Sequence, residues 1–111
     1  MNEIKQFLLF NETFGGKSGN EYTVYVQIKS NCLEITIIAE QLGWGKYSME
    51  MMRRIQYSFD EANTKKFLEL LAVNIDNIKE ILYENFYGEN FTSKIELFCK
   101  NNNINFEYSN R

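Results

Sequence analysis

The chain contains no histidine and no proline, and among its 111 residues there are only two cysteines and one tryptophan. Without histidine, the commonest acid–base chemistry and the usual zinc sites are excluded. Cys32 and Cys99 are too few for a disulfide framework and too far apart for a CxxC metal knuckle. No cofactor and no metal is expected. Both thiols read as free, as in a reducing cytoplasm. The start, MNEIKQFLLFNETF, lacks a basic region followed by a long apolar stretch, so no secretory leader is expected. No apolar run approaches the ~20 residues that a membrane span needs. The missing proline goes with an abundance of asparagine and reads as genome composition.

What is present fits one globular domain over residues 1–111. Apolar residues make up 44% of the chain and charged residues 24%, the balance of a packed core with a solvated surface. The net charge of −3 argues against nucleic acid as the main partner, since phosphate binding needs a basic patch. It suits a basic protein partner.

The first half reads as strands. Ile4 to Phe10 is mostly apolar, and the Gly/Asn-rich stretch Gly15 to Asn20 follows as a turn or loop. Tyr22, Val24, Val26 and Ile28 alternate with Thr23, Tyr25, Gln27 and Lys29, the period-two signature of a half-buried strand. Ser30-Asn31 then makes a tight connection to Leu33, Ile35 and Ile37, which alternate with Glu34, Thr36 and Ile38. Gln41 to Ser48, with Gly43-Trp44-Gly45, reads as a loop. Met49 to Phe59 is a fourth strand with Ile55, Tyr57 and Phe59 on one face.

The second half reads as helices. Ser58 and Glu61 match a capping box, with Asp60 as an alternative N-cap. Thr64, Phe67, Leu68 and Leu71 share an apolar face, and Asn74 closes this helix. A second helix is expected from about Ile75 to Tyr87, with Gly88 as its C-cap. A third starts near Thr92, with Phe91, Ile95, Phe98 and Cys99 on one face. Ile104, Phe106 and Tyr108 suggest a last short strand. The expected class is α+β: an antiparallel sheet of about four to five strands, packed on one face by about three C-terminal helices. Tyr25, Thr36 and Ile38 would then lie on the uncovered face, available for self-association.

Gly16-Lys17-Ser18 resembles the end of a phosphate-binding loop. The full pattern needs glycine at position 11, which is Asn11, and a helix next, where a strand follows. Glu50, Arg53 and Arg54 are the candidates for a histidine-free active site, but no nucleophile, base and orienting group stand together. The chain is therefore read as a binding protein and not as an enzyme.

The second helix is the most informative segment. Ile75, Ile78, Ile81, Leu82 and Phe86 fall on one side and must face the sheet. Asp76, Glu80 and Glu84 line the other side at spacing four, with Tyr83 and Tyr87 beside them. Like charges at that spacing cost a few tenths of a kcal/mol, about 0.2–0.5 per pair in an isolated helix. An acidic stripe with tyrosines is what a basic partner needs: carboxylates steer the encounter and tyrosines supply contact area. The competing reading is an ordinary solvated face whose tyrosines lean over the core edge. Residues 59–90 hold seven acids against three lysines, an asymmetry that favours binding. Trp44, between two glycines, is either an exposed interface anchor or a core residue folded back on the sheet.

The stretches FGGKSGNEYTVYVQIKSNCLEI and IQYSFDEANTKKFLELL resemble the small immunity proteins of bacterial contact-dependent inhibition and related polymorphic toxin systems. The resemblance implies tight binding to a cognate toxin domain, often a nuclease, that blocks its active site. A phage or host regulatory interaction protein, or a small histidine-free enzyme, are the alternatives.

Overall fold

The computed structural model describes residues 4–14, 20–41, 52–71 and 77–110. Five strands and three helices follow in the order β1 (Ile4–Phe14), β2 (Asn20–Lys29), β3 (Cys32–Gln41), β4 (Met52–Ser58), α1 (Glu61–Leu70), α2 (Ile78–Phe86), α3 (Phe91–Asn101) and β5 (Glu107–Asn110). The strands form one antiparallel sheet in the order β1-β2-β3-β4-β5. Strands 1 to 4 make a meander, and the chain returns through the helices to add β5 beside β4. This is the expected α+β class.

The period-two pattern decides which residues point inward. Val24, Val26 and Ile28 of β2 and Leu33, Ile35 and Ile37 of β3 are buried, and Val24↔Ile37, Val26↔Ile35 and Ile28↔Leu33 are register partners. Burying a residue of this size contributes about 1.5–3 kcal/mol. Ser30 and Asn31 turn the chain with φ of 53° and 63°, the left-handed conformations of a two-residue hairpin whose twist matches the strands.

Strand β1 departs from simple alternation. Leu8 pairs with Tyr25 and Phe10 with Val24, so Leu9 is an extra residue at a bulge. The bulge reverses the parity of the strand. Leu9 and Phe10 are both buried, and β1 continues to Phe14 where Phe10 was expected as its end.

The helices cover one face. Asp60 caps α1, its side chain accepting from Asn63 N at 2.8 Å. Ser58 is not the cap, because it is still paired with Glu34 in the sheet. Thr64 and Phe67 are buried on α1, Ile78, Leu82 and Phe86 on α2, and Phe91, Ile95 and Cys99 on α3, each set at helical spacing. Phe67 is the meeting point, with ring centroids 5.3, 5.9 and 5.2 Å from those of Phe59, Phe86 and Phe98. The second helix begins at Ile78 with Asn77 as N-cap, later than the expected Ile75, and Tyr87 is its C-cap. Gly88 follows with φ +129°, which favours glycine. Ile104 is buried and Phe106 half-buried before β5 begins. Positions 42–51 and 72–76 lie outside the described residues, and with them Trp44, Glu50, Asn74, Ile75 and Asp76. The Gly-Lys-Ser run at 16–18 does too. No helix among the described residues is long and apolar enough to cross a membrane.

Candidate functional site

Four of the six residues singled out for partner binding are described, and the structure brings them together. Glu80, Tyr83, Glu84 and Tyr87 succeed one another at spacings of three, one and three, which keeps them on the outer side of α2 while Ile78, Leu82 and Phe86 go inward. Asp76 and Trp44 lie outside the described residues.

The two tyrosines stack with ring centroids 4.5 Å apart and planes 29° from parallel. Both rest on Phe10 of β1, whose ring meets Tyr87 edge-on at 4.9 Å and Tyr83 at 6.4 Å. The rings lean over the core edge, yet Tyr83 keeps 40% of its surface exposed. Such a pair is held rigid by its neighbours, so little side-chain freedom remains to be lost on binding.

Phe14 extends the aromatic row, 6.1 Å from Tyr87 and 5.8 Å from Tyr22. Beyond Tyr22 is a pit of about 190 Å³, walled by Val24, Ile37, Ile55 and Phe91 with Arg53 and Glu89 at its lining. It is smaller than the ~300 Å³ at which small-molecule pockets begin, and suits a single side chain of a partner.

Glu80 and Glu84 are exposed, with no hydrogen-bond or ion-pair partner among the described residues. Glu84 lies in the last turn of α2, where the helix dipole disfavours an anion. Lys94 offsets this by donating to the Tyr87 carbonyl at 2.8 Å, which satisfies the helix end. A third carboxylate, Glu12 of β1, stands against Tyr87. Packing takes water away from the Tyr87 hydroxyl and raises its pKa, and the Glu12 charge adds to the rise.

Glu12 is the residue that the sequence reading missed. Its signal was the spacing Phe10-Glu12-Phe14, which places an acid between two aromatics on one strand face. The bulge at Leu9 is what turns that face toward α2.

Among the described residues no group of three or more His, Cys, Asp or Glu is placed to hold a metal ion. Arg53 and Arg54 are both exposed, on opposite faces of β4. Cys32 is half-buried and Cys99 buried, both as free thiols, and burial pushes the Cys99 thiol up to about 11. Comparison with protein-family models, curated proteins and solved structures finds no match for this chain.

Proposed function

We propose that the chain is an immunity-type protein that binds a basic toxin domain through the outer face of α2 and the adjoining end of β1, and so blocks the toxin's active site. The observation that carries this reading is the stacked Tyr83–Tyr87 pair, fixed on Phe10 and bordered by Glu12, Glu80 and Glu84. A rigid, half-exposed aromatic pair supplies contact area, and tyrosine is among the residues enriched at interface hot spots. The carboxylates around it steer a basic surface toward it and hold its orientation. A nuclease groove, built to attract phosphates, has the complementary charge. The resemblance in the first strands and the first helix supports the same class.

The test starts with the partner that co-purifies with the full chain from its native host, identified by mass spectrometry. A basic toxin domain is expected. Glu80→Lys with Glu84→Lys should slow its association by roughly one to two orders of magnitude, with a steep loss of salt dependence. Glu69→Lys, on the exposed side of α1, is the control and should bind as wild type. If the double variant binds as tightly and as fast as wild type, this face is not the site. A co-purifying regulatory protein in place of a toxin would overturn the immunity assignment while leaving the face to be tested in the same way.

A further inference from the structure

The helices cover one face of the sheet, and the register defines what lies on the other. A central row runs across four strands as Leu8, Tyr25, Thr36 and Gln56, with Ser109 at its β5 end. On the side of the Ser30–Asn31 turn, the next row is Gln27, Glu34, Ser58 and Glu107. On the other side it is Thr23, Ile38 and Arg54.

Three features of this face go beyond an ordinary solvated sheet. Leu8 and Tyr25, register partners, are 42% and 40% exposed and make an apolar step at its β1 end. The face is hollow beside that step, with a depression of about 250 Å³ between Tyr25, Thr36, Ile38 and Arg54. Glu34 and Arg54 stand on opposite sides of the uncharged row, and neither has an ion-pair partner among the described residues.

We propose that this face joins two copies of the chain, related by a two-fold axis along the Leu8–Tyr25–Thr36–Gln56 row. A half-turn about that line leaves the row facing itself and exchanges its two flanking rows. Tyr25 then meets the second copy's Tyr25 beside the paired Leu8 side chains. Arg54, on β4, comes over the second copy's row between Glu34 on β3 and Glu107 on β5, and the same pairing recurs by symmetry. Lys29, at one end of β2, approaches the end of the second copy's β2 that bears Glu21.

The geometry tolerates the twist of real sheets. Packed sheets cross at about 30°, and residues one row from the axis sit ~7 Å away from it. The crossing therefore displaces Arg54 by ~3–4 Å, less than the ~4.8 Å between strands, so it stays over one of the two acids. Glu40 falls at the rim, where salt screens its charge.

The complement to this face is the face itself, which is why the occupant is a second copy. Four strands by six or seven residues, with the four residues of β5, offer roughly 450–500 Å² per copy, or on the order of 950 Å² in all. That is close to the ~1,000 Å² at which specific interfaces begin, and it sets the expectation of a weak, concentration-dependent dimer.

Sedimentation velocity of the full chain tests this, with circular dichroism to show that each variant is folded. Wild type should pass from monomer to dimer between about 1 and 200 μM. Arg54→Glu should weaken the dimer by at least about tenfold. Arg54→Glu combined with Glu34→Arg and Glu107→Arg should recover most of that loss, because both acids that Arg54 faces have then exchanged sign with it. Glu80→Lys with Glu84→Lys should leave the dimer unchanged, since that face is separate. A wild type that stays monomeric throughout, a dimer indifferent to Arg54→Glu, or a charge exchange that recovers nothing would each overturn the proposal.

Discussion

The hydroxyl of Thr64 accepts a hydrogen bond from the backbone N–H of Leu33 at 2.8 Å and donates to the Phe59 carbonyl at 3.3 Å. Phe59 N in turn donates to the Leu33 carbonyl at 2.9 Å. One buried side chain thus closes the first turn of α1 onto the start of β3 and the end of β4. Replacing Thr64 by valine keeps the shape and strands two buried backbone groups. Thr64→Val should lower stability by about 2–4 kcal/mol, with Thr64→Ser losing about 1 kcal/mol for its methyl group. Urea unfolding at unchanged slope measures both, and near-equal losses for the two variants would show that the hydroxyl is not the clamp.

Tyr57 is fully buried, and its hydroxyl donates to Glu96 of α3 at 2.5 Å. Burial, and then the Glu96 carboxylate, hold its pKa far above the ordinary tyrosine value. In the unfolded chain the same group loses its proton near pH ~10. Stability from this group is therefore whole below pH ~10 and falls as the pH rises beyond it, because only the unfolded state releases the proton. Unfolding measured from pH 8 to 11 should show that decline in wild type and a shallower one in Tyr57→Phe. Equal slopes would mean that Tyr57 ionises in the folded protein as freely as in the unfolded one.

The two cysteines differ in reach. Cys99 is fully buried on α3, its thiol pushed up to about 11, first by desolvation and then by Glu96. Cys32 is half-buried at the start of β3. In the native protein a thiol reagent should label Cys32 alone, and Cys99 should react only at the rate of unfolding, as followed by intact mass against time. Equal labelling of both thiols without denaturant would contradict the packing of α3.

Residue spacing foretells the parts of this fold in which one periodicity rules. Tyr22 to Lys29 and Leu33 to Ile38 each alternate on their side of the Ser30–Asn31 turn, so the faces of the β2–β3 hairpin follow directly. Ile78, Leu82 and Phe86 repeat at helical spacing, so the inward side of α2 follows too. Where two periodicities meet, local pattern is not enough. The run Phe7-Leu8-Leu9-Phe10 contains no mark showing that one residue is extra, since both Leu9 and Phe10 satisfy an inward position. That ambiguity hid the second half of β1, and Glu12 with it. The capping choice was open for a related reason: Ser58 has the chemistry of a cap, and its partners Glu34 on β3 and Glu107 on β5 keep it in the sheet.

The bulge at Leu9 also bears on how the outer edge of β1 behaves toward other chains. An edge strand of eleven residues would ordinarily be a long template for adding a foreign strand. Here the backbone groups fall into two short registers, offset by one residue on either side of Leu9. An incoming strand that matches the first is out of step with the second, so neither runs long enough to seed a fibril. The residue that sends Phe10 and Glu12 toward α2 thereby also guards the chain against aggregation along its edge.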